Sequence, residues 1–182
     1  GKRADDEHIA SFVEASGKYT GSLKPEGTGL SLNTSKEQLT RITEKYLFAA
    51  MRAGEIFRKI ETVKGAGKFI TEVSMDEVPD PQTPVELFFI LRMLASEKIP
   101  VQTIAPKFSG RFNKGVDYVG DPLKFAEEFE ADLLVIDYAV KEFGLPENLK
   151  MSIHSGSDKF AIYPHIGAII RNHFRHRAAI PD

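Results

Sequence analysis

The residues best suited to chemistry lie in one short stretch, KMSIHSGSDKFAIY, at positions 150–163. A predicted strand leads to His154, and a turn of small residues then carries Asp158 and Lys159. Titratable side chains at the carboxyl end of a strand sit on loops held by a rigid sheet, where α/β proteins place their active sites. An ordinary polar turn with a serine cap would show the same local pattern. Residues upstream favour the active-site interpretation.

A second group of acidic residues follows the alternation of another predicted strand. Glu72, Ser74 and Asp76 fall on one face of that strand, and Glu77 comes just beyond it. A glutamate in an apolar parallel strand is costly unless it pairs with Lys or Arg across the sheet or serves a site. If the strands are parallel, these acids emerge at the same edge as His154. Carboxylates and an imidazole at one edge suit acid–base catalysis or the binding of one divalent cation.

Basic residues follow the intervening strand. Lys107 is predicted at the same edge, where it either pairs with an acid or solvent, or anchors an anionic substrate group. The glycine-punctuated loop after it contains Arg111 and Lys114. The histidines of the last segment are weaker candidates for metal ligands: His165, His173 and His176.

The composition limits the class of protein. The 182 residues are 42% hydrophobic and 27% charged with a net charge of −2, which indicates one globular unit without a strongly basic surface for nucleic acid. No secretory or membrane-spanning apolar run is evident, so a cytoplasmic location is the expectation. Cysteine is absent, and any metal must therefore use His, Asp or Glu.

Apolar spacing and punctuation by Gly and Pro predict the elements that position these residues. We expect a single domain, with an N-terminal helix and a loop or hairpin in residues 1–33 and an α/β unit in residues 34–182. The order β-α-β-α-β-α from residue 68 implies parallel strands, in a small three-layer unit or part of a larger barrel. The predicted helices are 5–16, 36–63, 85–98, 121–143 and 164–174, and the strands of the unit are 68–75, 101–105 and 149–153.

Three motifs resemble the tagaturonate epimerase family, bacterial enzymes of hexuronate catabolism. They are EVSMDEVPDPQTP at 72–84, FNKGVDYVGD at 112–121 and SIHSGSDKFAIYP at 152–164. Their order and spacing agree with the family from about residue 31 to residue 164. The resemblance implies part of a (β/α)8 TIM-type barrel, a keto-hexuronate substrate and a divalent cation, with Zn, Ni and Mn as the alternatives.

The resemblance also implies roles for individual residues. It makes Glu72 the catalytic acid/base and His154 a metal ligand. Four further candidates lie inside matched motifs: Asp76, Glu77, Asp158 and Lys159. In the expected site, the catalytic carboxylates are Glu72, Asp76 and Glu77. The metal ligands are His154 and Glu72. The substrate-binding residues are Lys107, Asp158 and Lys159.

The chain also departs from the family. Family members are longer, and where they have a strand resembling FHVKTAGT this chain reads HFRHRAAIPD at 173–182. We therefore expect a partial chain, truncated at both ends. A partial barrel exposes sheet edges, so self-association as a homo-oligomer is expected. Two alternatives stay open, a non-catalytic α/β fragment or binding module and a related keto-uronate isomerase or aldolase.

The expected reaction interconverts D-tagaturonate and D-fructuronate, which differ at a hydroxyl carbon β to the ketone. That carbon carries no acidified proton, so simple α-deprotonation fails. Either retro-aldol cleavage with re-addition or migration of the ketone solves the problem, and both pass through an enediolate that a divalent cation would stabilise.

Overall fold

The N-terminal part of the chain forms a helix and a small hairpin. A computed structural model describes residues 2–171. Helix α1 (Asp6–Ser16) begins at Asp5, whose side chain accepts a hydrogen bond from the His8 amide, and a 3-10 turn follows it. Strands β1 (Gly21–Leu23) and β2 (Leu32–Thr34) pair antiparallel, so of the predicted loop or hairpin the structure has the hairpin.

From there helices and strands alternate, and the predicted parallel sheet is confirmed. Strands β3, β4 and β5 pair in chain order, with Val73, Ile104 and Met151 aligned across the sheet. The strands are shorter than predicted because only a few residues of each segment keep the pairing. The elements are α2 (Lys36–Lys64), β3 (Glu72–Ser74), α3 (Pro84–Ser96), β4 (Thr103–Ala105), α4 (Pro122–Phe143), β5 (Lys150–Met151) and α5 (Tyr163–Ile169).

Local capping explains where the long helices start and stop. The Ser35 side chain accepts the Gln38 amide at the start of α2, and Thr83 forms a capping box with Glu86 at the start of α3. At α4, Asp121 caps the first turn, and Gly144 ends the helix in the left-handed conformation with φ of 64°. These signals are local, so the helix positions could be inferred from sequence.

The core forms where helices α2, α3 and α4 pack side by side. Helix α3 lies at its centre, and seven of its residues between Leu87 and Leu94 are buried. Phe88 packs against Tyr19 at 5.3 Å and Phe143 at 5.0 Å between ring centroids, which ties the N-terminal segment to α3 and α4. Arg92 donates to Ser16 and to the Ala15 carbonyl, so the end of α1 is fixed to the same helix.

One side of the molecule keeps an apolar surface. The stripe of α2 is buried as far as Phe57, but Ile56 is 54% exposed and Ile60 is 40% exposed. Ile70, just before β3, is 78% exposed. Within residues 2–171, β3 pairs only with β4, so its other edge is open beside this surface.

Two further points concern the limits of the described chain. Within the described residues, no helix combines the length and hydropathy needed to cross a bilayer. The expected end of the last helix at Phe174, together with His173 and His176, lies outside residues 2–171.

Candidate functional site

Three of the predicted residues meet at the parallel sheet: Asp76 and His154 follow β3 and β5, and Glu72 is the first residue of β3. His154 Nε2 lies 3.0 Å from Glu72 Oε1, and His154 Nδ1 lies 3.3 Å from Asp76 Oδ2. All three side chains are partly exposed, by 35% for His154, 42% for Glu72 and 29% for Asp76. An imidazole between two carboxylates donates to both only when doubly protonated. When neutral it serves one of them and leaves the other free to face a cation.

The sheet register explains why these residues meet. Glu72 lies on β3 and pairs in register with Thr103 of β4, which in turn pairs with Lys150 of β5. Beyond the strands, the Ser152 amide still donates to the Ile104 carbonyl at 2.9 Å, so the chain remains extended toward His154. Lys150 is thus the residue level with Glu72, and the His154 side chain reaches the Glu72 carboxylate from beyond the end of β5.

A buried glutamine, which the sequence analysis did not select, joins the ends of β3 and β4. Gln82 Nε2 donates to the Met75 carbonyl at 3.1 Å, and its Oε1 accepts the Lys107 amide at 2.6 Å. The backbone amide of Gln82 donates to the Lys107 carbonyl at 3.2 Å. Met75 precedes Asp76, whose carboxylate accepts from the Ser74 hydroxyl. Gln82 thus positions both sides of the rim, and no periodic signal in the proline-rich segment marks it.

A cleft of about 370 Å³ opens beside the His154 cluster, within the size range of small-molecule sites. Its charged walls come from the ends of β3 and β4 and from the following loop. Aromatic rings of the same loop complete the lining, so the site combines polar groups with apolar surface. The ionisable residues that line it are Asp76, Glu77, Lys107, Arg111 and His154.

Two of the predicted substrate-binding residues face elsewhere. The Lys159 side chain is 1% exposed, and its ammonium donates to the Ser157 carbonyl at 2.7 Å and the Ser157 hydroxyl at 2.9 Å. Asp158 accepts from the Tyr163 hydroxyl at 2.9 Å, and this hydrogen bond raises the pKa of Tyr163. Both residues hold the turn after His154. Their contacts give no support to direct substrate binding.

Lys107 is intermediate between these cases. It lines the cleft, as predicted, and its ammonium donates to the Val78 carbonyl in the loop after β3. That bond occupies one of its three donors. Its role in substrate binding therefore stays a prediction.

The turn after His154 is also held from outside. The Gly115 amide donates to the Ser157 hydroxyl at 2.9 Å, and both carboxylate oxygens of Asp117 accept the Ala161 amide at 3.2 Å. Two of the three motifs noted in the sequence, at 112–121 and 152–164, are therefore joined by hydrogen bonds. Asp117 and Ala161 each lie within one of these motifs, but the sequence did not indicate that they are in contact.

The fit of these residues to a metal ion is partial. Imidazole nitrogen and carboxylate oxygen are suitable ligands for Zn²⁺, Ni²⁺ and Mn²⁺. Among residues 2–171, however, no group of three or more His, Asp or Glu is arranged to hold a metal. His154 and Glu72 thus suit two positions of a ligand set but do not form a complete one.

Comparison with known proteins identifies the family. The sequence profile of tagaturonate epimerase matches residues 13–179, most of the chain. The chain belongs to this family. Tagaturonate epimerases are isomerases, and the family resemblance of the three motifs is confirmed.

Individual relatives agree with this membership. The chain is 35% identical over 96 residues to the tagaturonate/fructuronate epimerase of Thermotoga maritima. It is also similar to a glycerol complex of the fructuronate-tagaturonate epimerase UxaE from Cohnella laeviribosi, with a TM-score of 0.69 and 26% identity. The native structure of that enzyme gives a TM-score of 0.64 at 23% identity, which supports the fold alone.

These relatives are much longer than this chain. The match to the Cohnella enzyme covers 94% of this chain but 35% of that structure. The Thermotoga match covers 53% of this chain and 18% of the relative. The expectation of a partial chain agrees with this coverage.

Proposed function

We propose that this chain forms part of an epimerase that interconverts D-tagaturonate and D-fructuronate. For a chain of this family, the proposal is supported by the contact of His154 and Asp76, which line the cleft, with Glu72, which lines the adjacent groove. A proton acceptor and an imidazole are thereby placed together beside the cleft. An unrelated binding module is disfavoured because the family profile extends over residues 13–179.

Glu72 is the proposed general base. In the retro-aldol route it removes the proton from the hydroxyl on the epimerised carbon. The bond from that carbon to the carbon next to the ketone then breaks, which leaves an aldehyde and an enediolate. In the ketone-migration route it removes a carbon-bound proton next to the ketone. His154 holds the Glu72 carboxylate in position, and Asp76 fixes the imidazole from its other nitrogen. Glu77, on the cleft wall, is a further candidate for proton transfer.

A divalent cation is the proposed cofactor, with His154 and Glu72 as two of its ligands and the rest from outside residues 2–171. When bound, such a cation supplies Lewis-acid stabilisation for negative charge on the substrate oxygens. The carboxylate–imidazole pair would then act as ligands of one ion, and Asp76 would orient the imidazole through Nδ1.

Turnover of purified keto-hexuronate tests the proposal. We expect Glu72→Gln to lower kcat by about 10²- to 10⁴-fold, since it removes the base but keeps the shape of the side chain. Glu130→Gln, an exposed change on α4, serves as the control. Unchanged turnover in Glu72→Gln would refute the assignment of the base.

Heavy water separates the two routes. Ketone migration transfers deuterium from solvent to carbon, whereas retro-aldol cleavage with re-addition keeps every carbon-bound hydrogen. Release of two three-carbon products without re-addition would instead identify an aldolase, the alternative that shares the same chemistry.

Calorimetry with Zn²⁺, Ni²⁺ and Mn²⁺ tests the cofactor without any assay of activity. We expect His154→Ala to weaken binding by about 100-fold or more, and His8→Ala, on the exposed face of α1, to leave it unchanged. Equal affinities in the two variants would exclude His154 as a ligand.

The finer architecture is also a proposal. We propose that β3, β4 and β5 form three strands of a (β/α)8 barrel. The parallel order in the sheet, the open edge of β3 and the apolar surface beside it support this arrangement. A cytoplasmic location, as expected for a sugar-acid catabolic enzyme, likewise stays a prediction.

A further inference from the structure

We propose that Arg111 binds the carboxylate of the substrate and so selects a hexuronate over a neutral ketohexose. This inference rests on the proposed function and extends it to substrate specificity. A uronate carries its carboxylate at one end and its ketone toward the other. The site must therefore offer a cation at some distance from the carboxylates that act on the reacting carbons.

The other cations near the cleft are already engaged. Lys159 is buried and donates only to acceptors of its own turn. The Lys107 ammonium is directed at the Val78 carbonyl. Arg111 is exposed on the cleft wall, and within residues 2–171 no carboxylate lies within ion-pair distance of its guanidinium. Neither Arg111 nor Lys107 pairs with a carboxylate in the described residues, but the Arg111 side chain, unlike that of Lys107, also makes no hydrogen bond to the protein there.

The backbone that presents Arg111 is held in place. Its amide donates to the Val119 carbonyl at 2.9 Å, and the Val119 amide donates back at 3.3 Å. Tyr118 lies across this narrow loop and donates its hydroxyl to the Ser109 carbonyl at 3.0 Å. A Cβ at Gly110 would meet the Tyr118 ring at 2.6 Å, so glycine is required there. A fixed loop reduces the ordering cost of binding an anion.

The charges in the cleft also orient the ligand. Asp76 and Glu77 repel a substrate carboxylate from the side where they lie, while Arg111 attracts it. The planar guanidinium can bind both oxygens of a carboxylate at once, which an ammonium cannot do. A uronate held this way would direct its keto and hydroxyl carbons toward His154.

Steady-state kinetics of the purified protein, with any further polypeptide that its gene encodes, tests the inference. The substrates are the keto-hexuronate and the ketohexose in which a hydroxymethyl group replaces the carboxylate. We expect Arg111→Gln to raise KM for the uronate by about a hundredfold, with little change in kcat or in activity on the neutral sugar. Arg111→Lys should restore part of the affinity because it keeps the charge.

Lys114→Gln is the matched control. Lys114 is an exposed cation of the same loop, but its stem lies against Gly156 rather than in the cleft. Its loss should leave KM for the uronate within about twofold, as for a surface charge. The inference would be overturned if Arg111→Gln kept the preference for the uronate, or if Lys107→Met lost that preference instead.

A binding measurement separates this inference from the proposed function. Calorimetry with an unreactive six-carbon uronate reports carboxylate binding without turnover. Wild-type protein that binds the uronate through Arg111 but interconverts no keto-hexuronate would refute the epimerase and keep the carboxylate site. Equal affinity for the uronate in wild type and Arg111→Gln would refute the carboxylate site, whatever the activity.

Discussion

Removing the side chain of Gln82 should loosen the rim of the sheet where the candidate site lies. Its amide joins two loops, because it accepts the Lys107 amide at 2.6 Å and donates to the Met75 carbonyl at 3.1 Å. Gln82 is 6% exposed, so neither bond is readily replaced by bulk water. In Gln82→Ala, one donor and one acceptor next to the cleft lose their partners.

The magnitude follows from those two groups. A buried polar group left without a partner costs about 1–3 kcal/mol, so two such groups cost about 2–6 kcal/mol. Met75 and Lys107 are themselves only partly buried, and water in the new space can serve them in part. We therefore expect the free energy of unfolding to fall by about 2–4 kcal/mol, the lower half of that range.

Urea denaturation measures this change, and Gln102→Ala provides a matched control. Gln102 Oε1 accepts a single hydrogen bond, from the Thr71 amide at 3.1 Å, at the opposite end of the strands. Its removal should cost about 1 kcal/mol. Gln82→Met keeps most of the volume but neither bond, so it should be nearly as destabilised as Gln82→Ala. Equal losses in Gln82→Ala and Gln102→Ala would refute the assigned role.

Three further predictions concern burial. Burial raises the pKa of Asp132, so the folded state retains a proton that the unfolded chain releases. The contribution of this group to stability is therefore lost as pH rises through the folded-state pKa. Asp132→Asn should then increase the free energy of unfolding more at about pH 8 than at about pH 5. The difference should be about 1.4 kcal/mol for each pH unit of that interval below the folded-state pKa, and the exposed Glu130→Gln should not show it. Lys159→Met removes the hydrogen bonds of a buried ammonium to the Ser157 carbonyl and hydroxyl, which keep their bonds from Ser155 and Gly115, and should lower stability by about 2–3 kcal/mol in thermal unfolding. Ile60→Lys places a charge on the open apolar surface and should shift the mass in light scattering toward the monomer, whereas an unchanged mass would place any self-association elsewhere.

The helices could be predicted because their signals are local. Asp121 and Pro122 start α4 and Gly144 ends it, each by chemistry confined to one turn. The parallel sheet followed from the alternation of elements, since short crossovers leave few other arrangements. Strand lengths could not be predicted in the same way. Segment 68–75 contains the strand formers Phe69, Ile70 and Val73, but only the neighbouring strand decides how many of its residues pair.

The candidate site was predictable in part. The contact of His154 with Glu72 and Asp76 was expected from parallel strand order, and the structure brings all three together. The directions of long side chains were not predictable. Lys159 follows Asp158 in a polar turn, yet its ammonium folds back onto that turn and is buried, a result of tertiary packing from the 112–121 loop.

The open edge of β3 relates the fold to the proposed chemistry. Glu72 lies on that edge with 42% of its side chain exposed, and Ile60 and Ile70 lie along the adjacent groove. A strand paired with this edge would cover the groove and remove water from the Glu72 carboxylate in one step. The strand that completes the sheet would therefore also shield the proposed base from solvent, whether it comes from the same polypeptide or from a second copy.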